Sequence, residues 1–172
     1  IGDSVIELSL IIPTYNSEST IGRCINSIKK SINYRYRKTV ELIIVDDGST
    51  DKSVDICRKS LDGLKNRILM SKHKGTSHAK NIGIKHSHGT HICFIDSDDS
   101  VDEKYVETIM GVITEDDYDF ITFGANVINE SGYNRQWVKQ HTEAPDLIIN
   151  KYKLKMMFKI KSNRPFTWNH VF

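Results

Sequence analysis

The sequence predicts an α/β fold, a mostly parallel sheet flanked by helices on both faces. Three observations carry the prediction. Short apolar runs that read as buried strands alternate with amphipathic helical stretches over the first 125 residues. Three polar segments follow directly on such strands: Pro13-Thr14-Tyr15-Asn16, Asp46-Asp47-Gly48-Ser49 and Asp96-Ser97-Asp98-Asp99. Ligands of open parallel sheets bind beyond the carboxyl ends of strands where the strand order reverses, so this coincidence points to one shared site. The chain has 172 residues, 38% hydrophobic and 27% charged, which suits one soluble α/β domain with a real core.

Taken in order, Leu8 to Ile12 is a short apolar strand stopped by Pro13. From Ser17 the pattern is helical, with Ile21, Ile25, Ile28 and Ile32 on one face. Val40 to Val45 is a second buried strand. Asp51 can cap the next helix, whose inner face carries Val54, Cys57 and Leu61 and which Gly63 ends. Arg67 to Met70 is a weaker strand, and Thr76 to His86 a short helix closed by a turn at Gly89. Ile92 to Ile95 is a buried strand. Asp102 to about Glu115 is a helix using Tyr105, Val106, Ile109, Val112 and Ile113, and Phe120 to Phe123 is a fifth strand. Val127-Ile128 and Trp137-Val138 flank Ser131-Gly132 as a hairpin would. No internal repeat, low-complexity stretch or linker interrupts the chain.

Net charge is +2, so no global field argues for nucleic acid. Cys24, Cys57 and Cys93 form no C-x-x-C pair and fall in apolar patterns, which reads as buried thiols in a reducing compartment rather than a zinc site. There is no signal peptide and no apolar run long enough to span a bilayer. The chain starts at Ile1 and stops in an apolar stretch at Val171-Phe172, which reads as truncation of a longer protein.

The acids after Ile95 present an electrostatic conflict. Three carboxylates at one strand end raise each other's pKa. A hard divalent cation such as Mg²⁺ or Mn²⁺ resolves it, because such ions bridge carboxylates to substrate phosphates. A solvated acidic turn is the plainer alternative. Thr14, Tyr15 and Asn16 offer a hydroxyl, a ring and an amide, suited to a nucleobase or ribose; a plain loop with an Asn turn also fits. A carboxylate of Asp46-Asp47 can accept from a base N–H or a ribose hydroxyl, while Gly48 permits close backbone approach; a helix-capping turn is its alternative. Lys72-His73-Lys74-Gly75 and Ala79-Lys80-Asn81 set cations and donors near a helix start, where phosphate binds, or form a solvated basic face. Histidines 73, 78, 86, 88 and 91 lack the i, i+4 spacing of a helical metal site, although His86-x-His88 could chelate if extended. Asn150 to Lys161 is basic and amphipathic, fitting an anionic membrane surface or acceptor, or a packed helix with a lysine-rich outer face.

Four segments together resemble the family 2 inverting glycosyltransferases of the GT-A fold: Leu10-Ile11-Ile12-Pro13-Thr14-Tyr15-Asn16, Ile43 through Asp51, Gly75 through Gly83, and Phe94-Ile95-Asp96-Ser97-Asp98-Asp99. They stand in the family's order and spacing, and Phe166 through Phe172 looks like its Trp-Asn segment. The resemblance implies a Rossmann-like, nucleotide-sugar-binding core over residues 1–125. Residues 126–172 would begin the acceptor side of the same domain. It implies donor contacts from Pro13, Thr14, Tyr15, Asn16, Asp46, Asp47, Gly48, Ser49, Lys80, Asn81 and Asp96. Lys80 stands where many members carry arginine, which keeps the charge but not a bidentate phosphate contact. Asp96 and Asp98 would be the D-x-D pair, with Asp98 the direct ligand of Mn²⁺ or Mg²⁺ and Asp96 on the ribose or the metal's water shell.

The implied reaction is inverting transfer from a nucleotide-diphosphate donor, a UDP-sugar first among them, to a hydroxyl of a glycan or lipid-linked acceptor. The setting would be the cytoplasm, with peripheral contact at the inner membrane face and a homodimer as further options. In the family the catalytic base lies in a Glu-Asp pair past the Trp-Asn segment, hence beyond Phe172, so a chain ending there would bind donor and metal but transfer sugar poorly. Two other readings compete. Asp96-Ser97-Asp98-Asp99-Ser100 loosely fits a haloacid dehalogenase-type phosphatase with Asp96 as nucleophile, although three strands precede it. The chain could also be a non-catalytic nucleotide-binding module.

Overall fold

The computed structural model describes residues 5–115 and, beyond them, the backbone of residues 121–122, 126–128, 134–136 and 170–171. Strands β1 (Leu8–Thr14), β2 (Val40–Asp46), β3 (Lys65–Met70) and β4 (His91–Phe94) alternate with helices α1 (Ile21–Ser31), α2 (Ser53–Ser60) and α3 (Thr76–His86). Helix α4 (Tyr105–Glu115) follows, then β5 (Ile121–Thr122), β6 (Asn126–Ile128), β7 (Asn134–Gln136) and β8 (His170–Val171). The main sheet has the order β3-β2-β1-β4-β8-β5. β1 to β4 are mutually parallel, and β8 lies antiparallel between β4 and β5. β6 and β7 form the expected hairpin, with Asn126 opposite Gln136. Its second strand is Asn134–Gln136; Trp137 and Val138 lie outside the described residues, as do Phe120, Phe123 and the basic stretch 150–161.

The sequence of β2 and β3 leads outward on one side of β1, and the chain must then cross back over β1 to lay down β4. A right-handed crossover in the opposite direction requires the opposite face. The core records this switch in strand alternation. Leu8, Leu10, Ile12, Leu42 and Ile44 pack with Ile21, Ile25, Ile28 and Ile32 of the α1 stripe, with Cys57 of α2 and with Val106, Ile109 and Met110 of α4. Ile11, Ile43, Val45 and Phe94 pack against Ala79 of α3. α3 presses so close that a Cβ at Gly83 would collide with Ile11 Cγ2. All three cysteines are buried and free.

The structure corrects three local expectations. Pro13 does not stop β1, which runs on to Thr14. The Ile95 amide donates to the Ile11 carbonyl at 3.0 Å. The polar groups of Ile11 therefore face β4, and so does the place of Pro13's missing N–H two residues on, where β4 has already ended at Phe94. The inner face of α2 turns on Ser53, Cys57 and Leu61, with Ile56 packed beside them, rather than on Val54. In α4, Met110 takes the buried place expected for Val112.

Candidate functional site

The switch in crossover direction opens a cleft at the carboxyl ends of β1, β2 and β4. It encloses about 510 Å³ and is lined by Pro13, Thr14, Tyr15, Asn16, Asp47, Asp96 and Asp98 among the expected site residues. Ser17, Ser19, Thr20, His73, Gly75, Thr76, Ala79 and Ser97 complete the lining.

Hydrogen bonds between loops hold the three strand ends together. The Asn16 amide nitrogen donates to Ser49 Oγ at 2.9 Å, and Asn16 Oδ1 accepts from the Thr50 amide at 2.9 Å. The Ser17 amide donates to Ser53 Oγ at 2.7 Å, and the Ser17 and Ser97 hydroxyls share a bond of 2.8 Å. Asp51 accepts from the Glu18 amide at 3.0 Å and from the Ser53 amide at 2.9 Å. Asn16 and Ser49 thus tie the β1 loop to the β2 loop.

Asp46 and Asp47 divide the labour after β2. Asp46 is buried, and its Oδ2 accepts from the amides of Gly48 at 3.1 Å and Ser49 at 3.0 Å. That turn needs Gly48, whose φ is +81°. Asp47 lines the cleft but is only 3% exposed. Its two oxygens accept from the amides of Lys74 at 2.9 Å and Gly75 at 2.6 Å. Burial pushes its carboxyl up, but these amides and the neighbouring His73 more than offset that and hold it below the usual carboxylate range. Asp47 therefore anchors the start of α3, whose first turn lines the cleft.

Tyr15, 45% exposed, stacks on His73 with ring centroids 4.2 Å apart. His73 Nδ1 lies 3.2 Å from the Asp47 carbonyl. The sequence shows His73 only as a member of a basic run and of a histidine cluster, because its partners lie 58 and 26 positions away. Thr14 Oγ1 and Asp46 Oδ1 are buried with no hydrogen-bond partner among the described residues. Two further histidines bond away from the cleft: His86 bonds the Ile82 carbonyl, and His88 bonds Glu41.

After β4, α1 grips the acidic loop. Arg23 donates to the Asp98 carbonyl at 2.8 Å, the Cys24 thiol to the Asp96 carbonyl at 3.6 Å, and Ser27 Oγ accepts from the Val101 amide at 3.0 Å. Lys80 Nζ lies 3.5 Å from Asp96 Oδ1 and 5.3 Å from the Phe94 ring centroid. Burial, then the charges of Asp98 and Asp96, push Asp99 up to about 6, against a smaller opposing effect of Arg23. Asp46, Gly48, Ser49, Lys80 and Asn81 stand outside the cleft lining.

Comparison with known proteins gives three findings. A family model, Glycosyl transferase family 2, matches residues 9–172. Glycosyltransferase GlyA of Streptococcus pneumoniae serotype 4 is 36% identical over 127 residues, which cover 73% of this chain and 18% of GlyA. The crystal structure of Staphylococcus aureus TarS 1-349 in complex with UDP-GlcNAc matches with a TM-score of 0.69 and 27% identity, covering 78% of this chain and 39% of that one. TarS is a poly(ribitol-phosphate) beta-N-acetylglucosaminyltransferase. The chain thus spans well under two thirds of the length of these relatives. The expected GT-A, Rossmann-like sheet flanked by helices is the fold observed.

Proposed function

The chain belongs to glycosyl transferase family 2, and we propose that it contributes the donor half of an enzyme that moves a sugar from a nucleotide-diphosphate donor to an acceptor hydroxyl with inversion. The observation that carries this reading is the convergence of three strand ends on one open cleft, with an aromatic ledge on one side and two carboxylates on the other. The Tyr15 ring, backed by His73, offers a face to a nucleobase. Thr14 lines the cleft beside this ledge, with its buried hydroxyl left without a partner among the described residues. The first turn of α3, at Gly75 and Thr76, faces the cleft and suits the diphosphate. A UDP-sugar is the first candidate, since TarS was solved with UDP-GlcNAc. A phosphatase nucleophile at Asp96 does not suit this family.

The acidic loop fits Mn²⁺ or Mg²⁺. Asp96 and Asp98 both line the cleft, Lys80 stands 3.5 Å from Asp96, and Asp99 beside them is raised by burial first and then by the charges of Asp98 and Asp96. Among the described residues no group of three His, Cys, Asp or Glu could hold a metal alone. Two carboxylates completed by donor phosphates are the usual arrangement for these ions. A bound ion would offset charge on the departing diphosphate. Asp98 would hold it, and Asp96, with one oxygen engaged by Lys80, would face the ribose. Lys80 keeps positive charge behind this pair. Asp47 is a poor base, being held ionised by two amides. The base that takes the acceptor proton is therefore assigned outside the described residues, and the acceptor is a glycan or lipid-linked hydroxyl.

The test is Asp98→Asn in titration calorimetry with UDP-GlcNAc. The account expects the Mn²⁺-dependent gain in affinity to disappear while metal-free binding stays within about threefold, less than 1 kcal/mol. Retention of the Mn²⁺ gain would remove Asp98 from the metal site.

A further inference from the structure

The end of the molecule opposite the cleft carries a concentrated positive charge. Lys29, Lys30, Arg35, Arg37 and Lys38 fall within ten residues, and no Asp or Glu occurs from 19 to 40, in a chain whose net charge is only +2. Lys30, Arg35, Arg37 and Lys38 are exposed. Lys29 Nζ donates to the Ser60 carbonyl at 2.8 Å, which brings the last turn of α2 alongside, with exposed Lys59 and with exposed Arg58, the latter paired to Asp55 at 3.4 Å.

Helix dipoles account for part of this pattern, since Lys29, Lys30, Arg58 and Lys59 sit in the last turns of α1 and α2. They do not account for Arg35, Arg37 and Lys38, which lie past the end of α1 in the loop that enters β2. That loop is built rather than slack. The Tyr36 amide donates to the Asn33 carbonyl, the Val40 amide to the Tyr36 carbonyl, and the Glu7 amide to the Thr39 carbonyl. The Tyr36 ring packs on the core, with the Arg35 guanidinium 5.5 Å from its centroid. Tyr34 beside them is 88% exposed. Rigidly displayed cations around an exposed amphipathic ring form the pattern that seats a protein at an anionic lipid headgroup layer.

We infer that the loop 33–39, with the adjoining ends of α1 and α2, is a docking surface for an anionic phospholipid bilayer. Charge complementarity selects the partner, and the exposed Tyr34 favours a membrane interface over a soluble polyanion. Position supports the same occupant. The loop precedes Val40 while the cleft follows Asp46, six strand steps or about 20 Å away. A bilayer held here leaves the donor cleft on the far end of the sheet, facing away from the membrane and open to water.

Flotation with phosphatidylglycerol-containing vesicles tests this. Wild type should bind them and not pure phosphatidylcholine, and salt should release it. At about fivefold per cation, Arg35→Gln/Arg37→Gln/Lys38→Gln should lose roughly 100-fold in partitioning. Lys30→Gln/Lys38→Gln, which keeps Arg35 on Tyr36, should lose about 25-fold. Neither set should change UDP-sugar affinity. Undiminished vesicle binding by the variants would overturn the proposal. So would wild-type indifference to phosphatidylglycerol, including the case in which the protein binds only soluble polyphosphate.

Discussion

Replacing Glu41 by Gln should cost about 2–4 kcal/mol of folding stability, although Glu41 lies at the end of the sheet away from the cleft. The side chain is 1% exposed in β2. Its carboxylate accepts from Ser9 Oγ at 2.7 Å, from the His88 amide at 2.6 Å and from His88 Nδ1 at 3.3 Å. Ser9 Oγ in turn accepts from the Gly89 amide at 2.9 Å. One carboxylate therefore ties β2 to β1 and to the turn that sets the register of β4, the strand that ends in the acidic loop. A glutamine keeps the volume but loses the charge, and its NH₂, in the place of Oε2, would face His88 Nδ1. Both short bonds end on Oε1, so Gln keeps them only at neutral strength, about 0.5–1.5 kcal/mol each against about 1.5–3 kcal/mol for bonds to a charged group. Burial pushes the Glu41 carboxyl up, but the Ser9 and His88 bonds outweigh that and hold it below the ordinary value of 4.5. A depressed folded pKa gives stability that is complete above 4.5 and is lost as pH falls through the folded value. Urea unfolding at neutral pH should show a lower midpoint for Glu41→Gln with unchanged slope, and the gap to wild type should narrow on acidification below that value. A loss under about 0.5 kcal/mol at neutral pH, or a gap that widens in acid, would refute the reasoning.

Two further changes probe the cleft. Tyr15→Ala removes the ring that would face the base, so UDP affinity should fall by roughly 10–100-fold in calorimetry, matching about 1–3 kcal/mol of base stacking. The half-exposed ring should leave the melting temperature nearly unchanged, and unaltered affinity would exclude Tyr15 as the ledge. Arg23→Met removes the donor to the Asp98 carbonyl, worth about 1 kcal/mol. It should weaken Mn²⁺-dependent donor binding by about fivefold with metal-free UDP binding unchanged; equal loss in both would make Arg23 a general structural residue.

What was legible in the sequence was local. Apolar runs of strand length, the isoleucine spacing of α1 and the polar segments after β1, β2 and β4 each need only neighbouring residues to be read, and the parallel sheet follows from their alternation. The acids of the cleft were found because a cluster of like charges demands an explanation wherever it lies. Partnership across the chain was not legible. The bonds that tie Asn16 and Ser49 to each other's loops join positions 33 and 34 apart, which no local pattern shows. Pro13 read as a terminator because its harmlessness depends on where β4 ends. Met110 displaced Val112 because a small change in helix phase decides which side chain reaches the sheet. The insertion of β8 between β4 and β5 pairs residues separated by 48 or more positions, beyond the reach of any periodicity.

The central claim is a metal-assisted nucleotide-sugar site built on the carboxyl ends of β1, β2 and β4. The most direct measurement is thermal stability against UDP-, GDP- and TDP-sugars, each with and without Mn²⁺. The account predicts that one nucleotide, UDP first, raises the melting temperature and that Mn²⁺ enlarges the shift, because a ligand that binds only the folded state stabilises it by its concentration over Kd. A protein whose melting temperature responds to no nucleotide, or to one with no contribution from the metal, would contradict it.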